Sequence, residues 1–178
     1  MKALAFILVL AFTSPQGHSI DFGTDTGGND WQVVNDDVMG GRSTSTAYLK
    51  DSGLYFSGYV SLENNGGFAS VRSPYQNMDL SPYKTVTIRH RGSSRKFALS
   101  FDRHTVWYKP NYKHEFVPSE EWQETTIALK DFKESQVGRY NGETMSEDTQ
   151  AKIIRMGIIL YDKKAGPFTL EVDYIRFD

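Results

Sequence analysis

Trp31-Gln32-Val33-Val34-Asn35-Asp36-Asp37-Val38-Met39-Gly40-Gly41-Arg42-Ser43 and Ser61-Leu62-Glu63-Asn64-Asn65-Gly66-Gly67-Phe68-Ala69-Ser70-Val71-Arg72 are the two stretches on which the fold reading turns. Each joins turn-forming Asn, Asp and Gly to a bulky aromatic and a charged residue, a mixture that a plain connecting loop does not need. They lie about one hairpin apart. The Gly40-Gly41 and Gly66-Gly67 doublets are too short for a phosphate cradle and are read as sites of positive φ or close backbone approach.

From Ser43 onward, apolar residues recur with period 2 between turn signals, the pattern of half-buried antiparallel strands. Leu54, Phe56 and Gly58 alternate with Tyr55 and Ser57, and Val86, Ile88 and His90 with Thr85, Thr87 and Arg89. Phe97, Leu99 and Phe101 follow, so residues 91–95 around Gly92-Ser93-Ser94 read as a hairpin connection, with the local cations Arg89, His90, Arg91, Arg95 and Lys96 as its solvated flank. Further strands are expected at Thr105–Tyr108, Tyr112–Val117, Gln123–Leu129, Ile154–Tyr161 and Phe168–Phe177, with a polar turn over residues 162–167. Nine or ten strands with this spacing predict an all-β, antiparallel two-sheet sandwich with very little helix. One short helix is expected near Ser146–Lys152, capped by Ser146. Lys133–Thr144 lacks either periodicity and is read as a long surface loop.

The first residues give Lys2, ten apolar residues from Ala3 to Phe12, then a polar stretch to Ser19. This is the layout of a secretory signal peptide, and it is shorter than the roughly 20 residues of a membrane span. Cleavage is expected after Ser19, with Ala11 and Thr13 offering an earlier site. An uncleaved anchor or a mitochondrial presequence fits less well, since the segment has no Arg and is apolar on every face. Residues 1–19 are therefore read as the signal peptide and residues 20–178 as a single domain, exported to a periplasmic or extracellular location, with no later membrane span.

The 178 residues contain no cysteine, which excludes thiol catalysis, thiolate zinc sites and iron–sulfur ligation. A net charge of −2 argues against a nucleic-acid binder. Asp36-Asp37 and Glu120-Glu121 are adjacent pairs whose side chains diverge on an extended backbone, so neither forms an acid–base pair; Asp36 and Asp37 are read as acceptors for turn N–H groups. His90 falls on the apolar face of its strand and is read as a core histidine, His104 lies in a turn, and no two histidines have metal-ligand spacing. G-x-S-x-G and dinucleotide fingerprints are absent. No catalytic residue, cofactor site or metal site is assigned. Trp107, Tyr108, Tyr112, Phe116 and Trp122 crowd sixteen residues; as sheet residues they fill a core, and Trp107, Tyr108, Tyr112 and Trp122 are the candidates for stacking on sugar rings.

The two blocks, with Gly58-x-Val60-Ser61 before the second and Gly166-Pro167-Phe168-x-Leu170-Glu171-Val172-Asp173-Tyr174-Ile175 near the end, resemble the motifs of the complex I intermediate-associated protein 30 family. The resemblance implies a galactose-binding-like jelly-roll sandwich, a fold shared with some carbohydrate-binding modules. It also implies a non-enzymatic, chaperone-like role of the kind its mitochondrial members play in assembling NADH:ubiquinone oxidoreductase. The motif residues fall on Trp31, Asn35, Asp36, Met39, Gly40, Gly41, Ser43, Asn64, Gly66, Gly67, Phe68 and Arg72. They are candidates for partner binding or, on a structural reading, Trp31 and Phe68 are core plugs and Arg72 pairs with Asp36 or Asp37. The partner is expected to be a protein, such as a membrane-complex subunit, or a glycan.

Overall fold

A computed structural model describes residues 18–23, 30–51 and 53–178; most of the expected signal peptide lies outside these residues. Among the described residues thirteen strands form two antiparallel sheets. The six-stranded sheet runs β3 (Thr44–Lys50), β4 (Gly53–Val60), β13 (Gly166–Phe177), β6 (Thr85–Gly92), β9 (Gln123–Ala128), with β1 (His18–Asp21) also paired to β13. The seven-stranded sheet runs β11 (Arg139–Thr144), β10 (Lys133–Gln136), β8 (Asn111–Phe116), β7 (Phe97–Asp102), β12 (Arg155–Leu160), β5 (Ala69–Arg72), β2 (Gln32–Asn35). The expected two-sheet sandwich is what the chain forms.

The alternation in sequence becomes the core because alternate residues of each strand face the other sheet. Leu54, Phe56, Val86, Ile88, Phe168, Leu170 and Val172 on one sheet meet Val71, Phe97, Leu99, Phe101, Met156 and Ile158 on the other, all buried. Aromatic contacts bridge the layers: Phe168 meets Phe97 edge-on at 6.0 Å and Phe177 lies 6.2 Å from Phe101. His90 is fully buried, its Nε2 2.9 Å from Thr125 Oγ1 and its ring against Phe116. Burial lowers its pKa to about 4, so the core holds it neutral.

Three local expectations are corrected. Residues 93–96 do not close a hairpin: β6 and β7 belong to different sheets, and the segment crosses between them. There Arg95, almost buried, reaches both carboxylate oxygens of Asp162 and the carbonyls of Gly166 and Pro167. Thr105–Tyr108 is not a strand, because β7 and β8 pair directly with Asp102 opposite Asn111, which leaves residues 103–110 as their connection. Residues 133–144 form a hairpin, β10–β11, turned at Val137 and Gly138, both with positive φ. Every residue of β11 is exposed, so this edge strand has no apolar face to announce it. The short helix α1 (Glu147–Gln150) does form, with Ser146 Oγ accepting from Thr149 N–H.

The two opening blocks are the corners where the chain changes sheets. The first carries it from β2 to β3 and the second from β4 to β5. Asp36 fastens them together. Its Oδ1 accepts from Ser43 N–H at 2.8 Å, and its Oδ2 accepts from the Ser43 hydroxyl, Gly67 N–H at 2.6 Å and Phe68 N–H at 3.1 Å. Ser43 Oγ in turn accepts from Ser61 N–H at 3.0 Å. Burial alone would raise the Asp36 carboxyl; the Ser43 hydroxyl and the backbone N–H groups of Gly67, Ser43 and Phe68 outweigh it and hold the carboxyl below its ordinary pKa. The glycines make room for this fully buried carboxylate: a Cβ on Gly41 would lie 2.3 Å from Asp36 Oδ1, and Gly67 donates its N–H from φ +125°. Asn64 Nδ2 donates to Gly40 O and Ser45 Oγ to Asn35 Oδ1, completing the clasp.

Asp36→Asn replaces an acceptor with a donor facing N–H groups, and Gly41→Ala drives a methyl into the carboxylate. Each is expected to cost about 2–4 kcal/mol of unfolding free energy, against about 1 kcal/mol or more for Gly67→Ala. Urea melts at pH 7 check this; melts within 0.5 kcal/mol of wild type would mean that the clasp does not hold the corners. For Asp36 the lowered pKa adds stability that is present above the ordinary value of 3.8 and is lost as pH falls through the folded pKa.

Candidate functional site

The outward face of the seven-stranded sheet carries the side chains that alternate with the core. Along its middle these are Arg72 on β5, Arg155 and Ile159 on β12, Asp102 on β7 and Asn111 and Lys113 on β8, with Tyr161 just beyond β12. They floor a cleft of about 740 Å³, well within the roughly 300–1,000 Å³ of ligand pockets. One wall is built from the clasped corners: Val38 and Met39 from the first, and Asn65, Gly66 and Phe68 from the second. The facing walls are the β7–β8 connection, with His104, Val106, Trp107, Lys109 and Pro110, and the β10–β11 turn, with Val137, Gly138 and Arg139.

The motif residues therefore divide by task. Met39, Gly66, Phe68 and Arg72 line the cleft. Asn35, Asp36, Gly41, Ser43, Asn64 and Gly67 form the clasp behind its wall, and Gly40 ends the single turn of 3-10 helix at residues 36–39 with a left-handed backbone. Trp31 is a core residue, edge-on to Phe22 at 5.3 Å, as expected for a plug. Phe68 is not a plug: it is half-buried and faces the cleft. Nor does Arg72 pair with Asp36 or Asp37. Arg72 sits at an outward register position of β5, opposite Gly157, whereas Asp36 turns inward to the corner; Arg72 Nε donates to Ser70 Oγ at 3.1 Å.

The four aromatic candidates also separate. Trp107, 68% exposed, and Tyr108, 51% exposed, stand edge-to-face on the β7–β8 connection, and Trp107 lines the cleft. Tyr112 is buried in the core, its hydroxyl donating to Glu134, and has no face free for a sugar. Trp122 belongs to the other side of the sandwich, where the guanidinium groups of Arg89 and Arg91 lie over its ring at 4.8 and 4.7 Å. Those cations, read from sequence as a solvated flank, are also paired with Asp173 and Glu171.

The floor was missed in sequence. Arg155 donates from Nε and Nη2 to Asp102 Oδ2 at 2.8 and 2.7 Å and stacks over Tyr75, 4.2 Å from the ring centroid. Lys113, only 7% exposed, has its Nζ 4.9 Å from the Tyr161 ring centroid. The signal lay in the alternation of β8, where Tyr112 and Phe116 face inward and Lys113 must face out. Which outward residues meet depends on strand order, which alternation does not give. Among the described residues no group of three or more His, Asp or Glu is placed to hold a metal ion, and no helix is long and apolar enough to cross a membrane.

Burial lowers the Lys113 pKa to about 8; Asp102 on β7 offsets part of this and Arg72 on β5 adds to it. Lys133 of β10 lies beside it across the strand pair, and Tyr161 offers a ring face. Because the unfolded lysine titrates near 10.5, the folded state holds fewer protons between pH 8 and 10.5, so stability rises with pH in that window. Lys113→Met is expected to stabilise the protein at pH 7 by about 1–3 kcal/mol, with the gain gone by pH 10.5. Denaturant melts at the two pH values check this, and a variant no more stable than wild type at pH 7 would refute it.

Solved structures share this architecture. The family 11 carbohydrate-binding module of the cellulosomal cellulase Lic26A-Cel5E of Clostridium thermocellum superposes with a TM-score of 0.66 at 12% identity, covering 90% of this chain and 94% of the module. The family 11 module from Clostridium thermocellum in complex with a β-1,3-1,4-mixed-linked tetrasaccharide gives 0.64 at 13% identity, with the same coverage. An exo-β-agarase matches at 0.54 and 14% identity over 90% of this chain but only 25% of its own length. At these identities the likeness is one of fold: galactose-binding-like sandwiches of the carbohydrate-binding-module type. In sequence, residues 20–172 match the profile of Complex I intermediate-associated protein 30 (CIA30), a match over most of the chain that agrees with the motifs at both corners. The chain belongs to the complex I intermediate-associated protein 30 family.

Proposed function

We propose that this protein is a non-catalytic binding domain that takes a saccharide chain in the cleft of its seven-stranded sheet. The observation that carries the reading is Trp107: a tryptophan 68% exposed at the lip of a 740 Å³ cleft, with Tyr108 beside it. Large aromatic faces left in water at a concave site suit the apolar side of a pyranose ring, while Asn111, Arg72 and Asp102 below offer donors and acceptors for hydroxyls. Among the described residues the one carboxylate in the cleft lining, Asp102, is held through Oδ2 by Arg155, and His104 Nε2 accepts from Arg103, so these two groups do not form a free acid–base pair facing a bound chain. The fold shared with carbohydrate-binding modules is consistent with this role.

A second reading has its own support. Val38, Met39, Val106 and Val137 are all exposed on the cleft walls and would suit the apolar side chains of a protein segment, the chaperone-like role of the family's assembly factors. Affinity gels of mixed-linkage β-glucan and a glycan array, run with the full chain, separate the two. Retention on a saccharide, weakened roughly tenfold by Trp107→Ala, is the expected result. No retention on any saccharide, together with recovery of respiratory-complex subunits from an envelope fraction that Met39→Asp abolishes, would favour the second reading and sink the first.

Export is proposed from the layout of residues 1–19. β1 bears on the processing site, since His18 and Ser19 pair with Phe177 and Arg176. Cleavage after Ser19 would remove half of that strand, whereas cleavage after Thr13 would spare all of it. The intact mass of protein recovered outside the cytoplasm is expected to match a chain that begins between Ser14 and His18; a chain beginning at Met1 would refute export by this route.

A further inference from the structure

The cleft collects charge out of proportion to the chain. The whole sequence has a net charge of −2, yet the lining holds Arg72, Lys109, Lys113, Arg139, Arg155 and Lys163 against one carboxylate, Asp102. That carboxylate is already committed, because Arg155 takes its Oδ2 with two donors. The two other floor cations feel its charge but have no hydrogen-bonded carboxylate of their own among the described residues. Arg72 uses Nε on Ser70 Oγ, and its terminal nitrogens have no hydrogen-bond acceptor among the described residues. Lys113 has a ring face at Tyr161 and likewise no acceptor among the described residues.

Burying three cations against one carboxylate is unfavourable, and a protein at liberty to do so would place a further carboxylate or an apolar side chain there. This sheet does the reverse, and it also makes room for the arrangement. Gly157, opposite Arg72 in register, lacks the Cβ that would come within 3.1 Å of Arg72 Cγ, so the arginine stem lies flat across β12. A planar guanidinium with its fork free and an ammonium near it form a pair of donors suited to a bidentate oxyanion. We infer that the saccharide bound in this cleft is acidic, and that Arg72 and Lys113 receive its carboxylate or sulfate-ester group. This rests on the saccharide reading above, since Trp107 and Tyr108 supply the stacking surface beside the cationic floor.

Titration calorimetry of the full chain at pH 7 tests it with four probes: oligogalacturonate for carboxylates, a sulfated galactan for sulfate esters, mixed-linkage β-glucan as the neutral chain, and poly-glutamate as an acidic peptide. One acidic saccharide is expected to bind at least tenfold more tightly than the glucan, and which of the two binds identifies the anion. Arg72→Met and Lys113→Met, checked for folding by thermal melts, should each weaken that binding roughly tenfold or more, as fits the loss of one charge-assisted contact. Lys84→Met, which breaks an exposed pair with Glu147 outside the cleft, should leave it unchanged. Glucan bound as tightly as the acidic saccharides, with Arg72→Met and Lys113→Met unaffected, would overturn the inference and leave the saccharide reading standing. Poly-glutamate bound in preference to every saccharide, or no binding to any probe, would overturn both.

Discussion

The buried carboxylate of Asp36 is the constraint on which the binding face depends. It stands between two crossings from one sheet to the other, and its oxygens accept from residues that immediately precede β3 and β5. Antiparallel ladders fix strands within a sheet, but they do not fix how a corner between sheets is folded. Here one anion with four donors does so. The same corners present Val38, Met39, Gly66 and Phe68 to the cleft, so the wall is only as rigid as the clasp behind it. A nearly buried ion pair, Arg95 with Asp162, ties the β6–β7 crossing to the β12–β13 crossing at the same end of the sandwich.

The two sheets spend their polar residues differently. On the six-stranded sheet, Arg89 and Arg91 lie against the ring of Trp122 and each has a carboxylate of its own, Asp173 and Glu171. On the seven-stranded sheet the cations outnumber their partners and Lys113 is kept where desolvation depresses its pKa to about 8. Sites held at a cost to stability are where function is generally found, since packing alone would have removed them. The contrast between the two faces singles out the cleft more sharply than its volume does.

Much of the sandwich was legible in the sequence because burial on one face imposes period 2: β4, β6, β7, β8, β9, β12 and β13 all lie where alternation put them. β11 escaped because an edge strand exposed along its whole length has no apolar period, β10 because Lys133, Glu134, Ser135 and Gln136 include no apolar residue, and Thr105–Tyr108 misled because Val, Trp and Tyr favour strands wherever a partner exists, and none does there. The corner motifs were visible as motifs, but their division between clasp and cleft was not. Asp36 and Arg72 stand in the two blocks and bear opposite charge, which invites pairing them; only register shows that one turns inward at a corner and the other outward on a strand. The cationic floor draws on β5, β7, β8 and β12, and no local pattern brings Arg72, Asp102, Lys113 and Arg155 together.

β13 also orders events in time. It is the long strand at the middle of the six-stranded sheet, paired with β1, β4 and β6, and it follows all three in the chain. No hairpin joins it to any of them, so the sheet cannot close as its strands emerge one by one. Until residues 166–177 arrive, β4 and β6 lack the neighbour that joins them, and the apolar faces of Leu54, Phe56, Val86 and Ile88 have only half a platform to pack on. Pairings so distant in sequence are slow to form. A chain with this topology cannot complete its six-stranded sheet, and so cannot close the core between the two sheets, until residues 166–177 have been made.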